Sequence, residues 1–214
     1  MKNVKEQNFE RELPAGYRQA KYINAKSLWF GIVFNLIALA ILALVMFCAG
    51  FLLTIGGRMT ATSFRLEGLQ MITAYLIFFA LIFGYMVLHE LVHGIAYKRE
   101  TGEKLAFGIS WSCAFCGVPH IYTYRKTALV AVVSPFVLFT LIFIPILALL
   151  YFVSPLYFLM VAAVFGLHVG GCSGDLYVMC LLTFKYKHPK TLMRDTGPEQ
   201  YFYVPDEACT VIEE

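Results

Sequence analysis

An all-α integral membrane protein with four transmembrane helices is the fold class the sequence predicts, and three observations predict it. The chain of 214 residues is 59% hydrophobic and only 14% charged, against about 25% charged in a typical soluble domain. Four apolar runs each exceed the ~20 residues that a helix needs to cross ~30 Å of hydrocarbon. The basic residues fall unevenly between those runs, as they do in proteins that alternate across a bilayer. The whole of 1–214 reads as a single membrane-embedded domain, without repeats or low-complexity tracts.

Residues 1–27 are charged and form an N-terminal segment ahead of the first apolar run. That run, about 28–55, continues without a clear small-residue cleavage site, so it is expected to stay in the membrane as a true span. The second span covers about 71–97. The loop that follows is the largest soluble piece between spans, and its stretches 104–111 and 118–124 are aromatic and β-branched. They predict a small β-hairpin in the loop between the second and third helices. Such a strand could pair with an extended substrate, or the loop could be an interfacial one anchored by Trp111, Tyr122 and Tyr124. The third span, about 127–152, contains Pro135 and Pro145, which transmembrane helices tolerate. Ser154-Pro155 leaves only a tight turn before the fourth span, about 156–184, so these two helices form an antiparallel hairpin. Residues 185–214 are a tail.

Lys and Arg number six in the N-terminal segment, five from Lys98 to Lys126 and four from Lys185 onward, whereas the 57–70 loop has only Arg58 and Arg65. Fifteen against two is a strong positive-inside asymmetry. Both termini are therefore expected in the cytoplasm, with the protein multi-pass in the cell membrane. No basic patch interleaved with aromatics is present, which argues against a nucleic-acid partner. The six cysteines, 48, 113, 116, 172, 180 and 209, lack disulfide spacing and read as reduced thiols. Cys113-Ala-Phe-Cys116 has the form of half a zinc knuckle, but no second pair exists.

Within the second span lies His89-Glu90-Leu91-Val92-His93. A helix puts the two histidines one turn apart on one face, where both imidazoles can reach one Zn²⁺. Glu90 between them can serve as general base toward a water polarised by that ion. The plainer alternative is two helix-face histidines with a buried, hydrogen-bonded glutamate. It leaves three polar groups in hydrocarbon without a purpose, at about 2.5–3.5 kcal/mol each for charged groups on insertion scales.

A catalytic zinc usually has three protein ligands. His89 lies nine residues before Lys98, and Asp175 lies ten before Lys185. At 1.5 Å per residue these are ~14 and ~15 Å from the cytoplasmic ends of their helices, a matched depth. Asp175 is thus the expected third ligand. Gly166, Gly170 and Gly174 recur every four residues and give the fourth helix a small-residue stripe, with Ser173 beside it, that a neighbouring helix can approach. A metal shared by the second and fourth helices would need such closeness, although the glycines could serve packing alone. Gly174, Ser173 and His168 are candidates for a supporting shell or substrate pocket. His168 lies ~10 Å farther from the cytoplasmic end on a regular helix, and a break at Gly170-Gly171 would change that. His120, in the loop, is expected to face water.

On His89–Gly94 and Gly174-Asp175 the chain resembles intramembrane metalloproteases of the site-2 protease type. It is more closely similar to the zincin peptidase family of small bacterial membrane proteins. That similarity extends over Leu13-Pro14-Ala15-Gly16-Tyr17, Ser134-Pro135 and Cys172-Ser173-Gly174-Asp175-Leu176. The resemblance implies His89, His93 and Asp175 as zinc ligands and Glu90 as catalytic base. It departs from the site-2 protease pattern in having Gly before Asp175 and Leu after it, and in lacking a PDZ-like insertion. The function expected is a zinc-dependent intramembrane metallopeptidase whose partners are a membrane-protein or peptide substrate and the lipid bilayer. The alternatives are a zinc hydrolase of a lipid-linked, non-peptide substrate and a non-catalytic metal-binding scaffold or carrier.

Overall fold

The computed structural model describes residues 8–59, 67–109 and 114–206. Its order is β1 (Phe9–Glu10), β2 (Tyr17–Asn24), α1 (Leu28–Ile55), α2 (Leu69–Thr101), β3 (Ala106–Ile109), β4 (Ala114–Gly117), β5 (Tyr122–Tyr124), α3 (Arg125–Val153), α4 (Pro155–Gly171), α5 (Ser173–Cys180), a π-helical turn (Leu181–Lys185), β6 (Leu192–Asp195) and β7 (Glu199–Pro205). Four helical stretches, Leu28–Ile55, Leu69–Thr101, Arg125–Val153 and Pro155–Lys185, are long and apolar enough to cross a membrane. By length and composition this is a multi-pass membrane protein. Their side chains suit a lipid solvent, since large apolar residues such as Leu36, Phe47, Leu76 and Leu141 stand exposed on them. Pro135 and Pro145 lie inside α3 without dividing it.

Three expectations need correction. The fold is helical but not all-α, because both terminal segments fold into strands. With β5 they build a five-stranded sheet in the order β1-β5-β6-β7-β2, antiparallel at every pairing. The physical reason is visible in β7, where Phe202 and Val204 are buried while Tyr201 and Tyr203 alternate with them, the period of two that a half-buried strand requires. Secondly, the loop hairpin exists with different partners. β3 pairs with β4, from Ala106 opposite Gly117 to Ile109 opposite Ala114, while 122–124 joins the larger sheet. The chain turns off after β4 because Val118 and Ile121 are buried in a separate core. Thirdly, the fourth span is not one regular helix. It breaks at Cys172, so that Asp175 falls in the first turn of a new helix, α5.

The described residues form two compact units. The first comprises Met1–Ile32, His89–Pro135 and Gly174–Glu214. In it one face of the sheet packs through Met193, Phe202 and Val204 on Ala128 and Val132 of α3 and Val178 of α5. A second core joins Ala96 and Tyr97 of α2 to Val118, Ile121 and Ala131. The turn between β6 and β7 needs glycine at Gly197, whose φ is +96°, and a Cβ there would overlap the Phe115 ring.

The second unit comprises Val33–Leu88 and Phe136–Ser173. Ala49 and Leu53 of α1 pack on Phe158 and Ala162 of α4. Ser154 caps α4 by accepting a hydrogen bond from the Tyr157 N–H, with Pro155 in the first turn, where its missing N–H costs nothing. The glycine stripe has a definite use here. A Cβ on Gly170 would lie 2.7 Å from Ala38 Cα, and one on Gly166 2.9 Å from a Leu42 methyl. Gly166 and Gly170 therefore seat α1 against α4.

Candidate metal centre

All three expected ligands lie in the first unit. His89 and His93 follow one another by a turn on α2, with ring centroids 4.9 Å apart. Both are buried, at 9% and 7% exposure. Asp175 comes from α5, and its Oδ2 lies 3.4 Å from Nε2 of His89 and 3.4 Å from Nε2 of His93. One ligand atom from each residue falls within 4.8 Å of the other two.

This spacing tests whether the residues suit zinc. Zinc–nitrogen and zinc–oxygen bonds of 2.0–2.2 Å at tetrahedral angles put neighbouring ligand atoms roughly 3.3 Å apart. The two nitrogen–oxygen separations match that value. Two imidazoles and a carboxylate are also a donor set that catalytic zinc uses, with a fourth position left for water. The residues fit the ion.

The side chain of His93 is oriented from behind. Its Nδ1 lies 2.9 Å from the carbonyl oxygen of Ala131 on α3. A carbonyl oxygen can only accept, so Nδ1 carries a proton, and Nε2 is the ring nitrogen turned toward Asp175 that a metal would take. One turn farther along α2, the Tyr97 hydroxyl donates to Asp195 Oδ2 at 2.7 Å. Asp195 Oδ1 accepts from the Gly197 N–H at 2.8 Å. The histidine-bearing end of α2 is thereby tied to the β6–β7 turn. Burial pushes the Asp195 carboxyl up to about 6.

Glu90 is half-buried and within electrostatic range of His93, His89 and Asp175. Gly94, directly after His93, is buried on α2. A Cβ there would meet the Phe107 ring at 2.6 Å and a Leu105 methyl at 3.1 Å. Glycine at this position lets β3 lie against the helix beside the second histidine.

The remaining candidates fare differently. Ser173 opens α5, and a Cβ on Gly174 would meet nothing within 4 Å. His168 is fully buried in the second unit. Tyr85 Oη lies 2.8 Å from its Nδ1 and Thr140 Oγ1 lies 3.0 Å from its Nε2. The rings of Tyr85, Phe136, Phe139, Phe143 and Phe165 surround it at 5.5–6.0 Å. His120 is exposed. Cys113 and Trp111 lie outside the described residues, and burial pushes the Cys116 thiol up to about 12, which keeps it protonated and inert. The four described cysteines are free thiols.

Three contributors escaped sequence reasoning. The Ala131 carbonyl is a backbone group and leaves no side-chain signature. Tyr97 continues the His89–His93 spacing by four, a legible helical signal, but its partner Asp195 lies 98 residues away. Gly94 could have been read as a close-approach glycine beside a ligand.

The family model described as Putative zincin peptidase matches residues 82–190, half of the chain. The chain belongs to this family. The matched region holds the metal-facing end of α2, β3 to β5, α3, α4 and α5, and thus the whole trio of His89, His93 and Asp175. Membership in a zincin peptidase family points to a metallopeptidase, with zinc as its metal. No curated protein and no solved structure matches the chain.

Proposed function

We propose that this zincin peptidase is an intramembrane metallopeptidase that hydrolyses a peptide bond of a membrane-associated protein in the cytoplasmic half of the bilayer. The observation that carries the reading is the convergence of His89, His93 and Asp175 at zinc-ligand spacing, with Glu90 beside them on a helix long enough to span. Bound there, zinc would act as a Lewis acid toward the scissile carbonyl and make water more acidic. The chain's own residues supply the rest. His93, held by its Nδ1–H donation to the Ala131 carbonyl, would turn Nε2 to the ion. Asp175 brings a negative charge that offsets part of the ion's. Glu90 takes the proton of the attacking water and hands it to the leaving amine. The fifteen-to-two distribution of basic residues supports a cytoplasmic position for the site.

A helical substrate hides its carbonyls in backbone hydrogen bonds, so it must be extended where it is cut. β3 pairs on one side only among the described residues. It also lies against Gly94, so an extended stretch could add to it by main-chain hydrogen bonds. The test is reconstitution of the purified protein with candidate membrane peptides, wild type against Glu90→Gln. Removal of a general base is expected to slow cleavage roughly 10²–10⁴-fold. Undiminished cleavage by the variant would overturn the mechanism, and cleavage of a lipid-linked non-peptide bond alone would overturn the substrate class.

A further inference from the structure

Three segments of the first unit meet at the turn between β6 and β7. From α2, the Tyr97 hydroxyl donates to Asp195 Oδ2 at 2.7 Å. From the residue after β4, the Val118 N–H donates to the Asp195 carbonyl oxygen at 2.8 Å. Arg194 returns the contact, donating from Nε to the Pro119 carbonyl oxygen at 2.9 Å. Gly117 lets the end of β4 close on the turn, since a Cβ there would lie 2.8 Å from the Asp195 carbonyl oxygen. The turn is closed on itself by the Gly197 N–H, which donates to Asp195 Oδ1 at 2.8 Å. Asp195 thus joins helix, hairpin and turn through three of its own oxygens. It is 3% exposed, so water is not at hand to replace these bonds if they are lost.

The β3–β4 hairpin is also gripped by its side chains. The Phe115 ring fills the places that Cβ atoms would take on Gly108 of β3 and on Gly197 of the turn. Gly108 stands opposite Phe115 in the hairpin, so one ring lies over β3 and against the turn at once. The opposite face of β3 rests on α2, where the Phe107 ring stands 2.6 Å from the place of a Cβ on Gly94. Successive residues of a strand point to opposite faces, so β3 is held between α2 through Phe107 and the turn through Gly108 and Phe115. Among the described residues β3 pairs only with β4.

We infer that the β6–β7 turn is a clasp that sets the height and register of β3 beside His93, making Asp195 and Phe115 positioning residues for an extended peptide substrate. The inference rests on the peptidase reading and on substrate pairing along β3. A strand that slips by one residue turns every side chain to the other face, so the height of β3 decides which carbonyl of a paired peptide comes to the metal. The zinc ligands do not depend on the clasp in the same way, because His93 is oriented through Ala131 of α3. Pairing along β3 is binding shared by the bound substrate and its transition state, and its loss raises KM while leaving kcat. β6 and β7 lie outside the residues 82–190 that the family model matches, so the C-terminal strands supply this part of the site.

The test is steady-state kinetics of the reconstituted full chain on a membrane peptide that the wild type cleaves and Glu90→Gln does not. Asp195→Ala and Phe115→Ala should each raise KM about ten-fold, less than the roughly 100-fold that a 1 Å misplacement can cost. Their kcat and zinc content should stay near those of the wild type. Asp195→Asn, which keeps an oxygen for the Gly197 N–H, should restore most of the KM. Circular dichroism checks the fold of each variant, and Phe115→Ala carries the test from the hairpin side if Asp195→Ala does not fold. An unchanged KM in the folded variants, loss of zinc together with the rise in KM, or no recovery in Asp195→Asn would overturn the clasp while the peptidase reading stands. If the wild type cleaves no membrane peptide, the peptidase reading fails and the clasp falls with it.

Discussion

Asp195 shows how a single residue supports the centre without touching it. Its carboxylate receives the Tyr97 hydroxyl on one oxygen and the Gly197 N–H on the other, and burial holds its pKa near 6. An unfolded aspartate titrates near 3.9. The folded chain therefore binds this proton more tightly, so the associated stability is fully present below about 4 and is lost as pH rises through about 6. The gap is worth roughly 3 kcal/mol. Asp195→Asn removes the titration and keeps a hydrogen-bonding side chain. Thermal unfolding in detergent from pH 4 to 8 should show the variant gaining on the wild type as pH rises through 6. A difference that stays flat with pH would mean that burial does not burden this carboxyl.

At the scale of elements, the close crossing of α1 and α4 is the feature most open to a single change. A Cβ on Gly170 would lie 2.7 Å from Ala38 Cα and 2.8 Å from its carbonyl oxygen, and backbone cannot move aside as a side-chain tip can. Gly170→Val should destabilise the protein by about 1–3 kcal/mol, the usual cost of overpacking. Gly50→Ala, on the same α1 with nothing within 4 Å of the added carbon, should be nearly neutral. Melting temperatures of the two variants compare these directly, and equal effects would contradict the packing. The stripe was legible in the sequence as a spacing of four, but which helix it faced was not. A repeat of small residues states that something approaches closely and carries no mark of the partner.

Taken as a molecule, the chain displays its membrane character in the sequence and conceals much of its soluble part. Apolar runs long enough to span are read from composition alone, and α1 begins and ends where its run does. The terminal strands are harder to see. Tyr201-Phe202-Tyr203-Val204 has strand composition and forms a local hairpin with 192–195, but its other partner lies at residues 17–24, and pairing over that separation leaves no local signal. The metal centre falls between these cases. His89 and His93 announce themselves by helical spacing. Asp175 is reached by counting depth from the nearest charges, a count that the π-helical turn Leu181–Lys185 makes only approximate, and its carboxylate lies 3.4 Å from both histidines. The most direct measurement of the centre is zinc content per chain in protein purified without chelator. One zinc is expected in the wild type and in Glu90→Gln, with loss in Asp175→Ala and in His93→Ala. Full zinc retained by Asp175→Ala while His93→Ala loses it would contradict the three-ligand site.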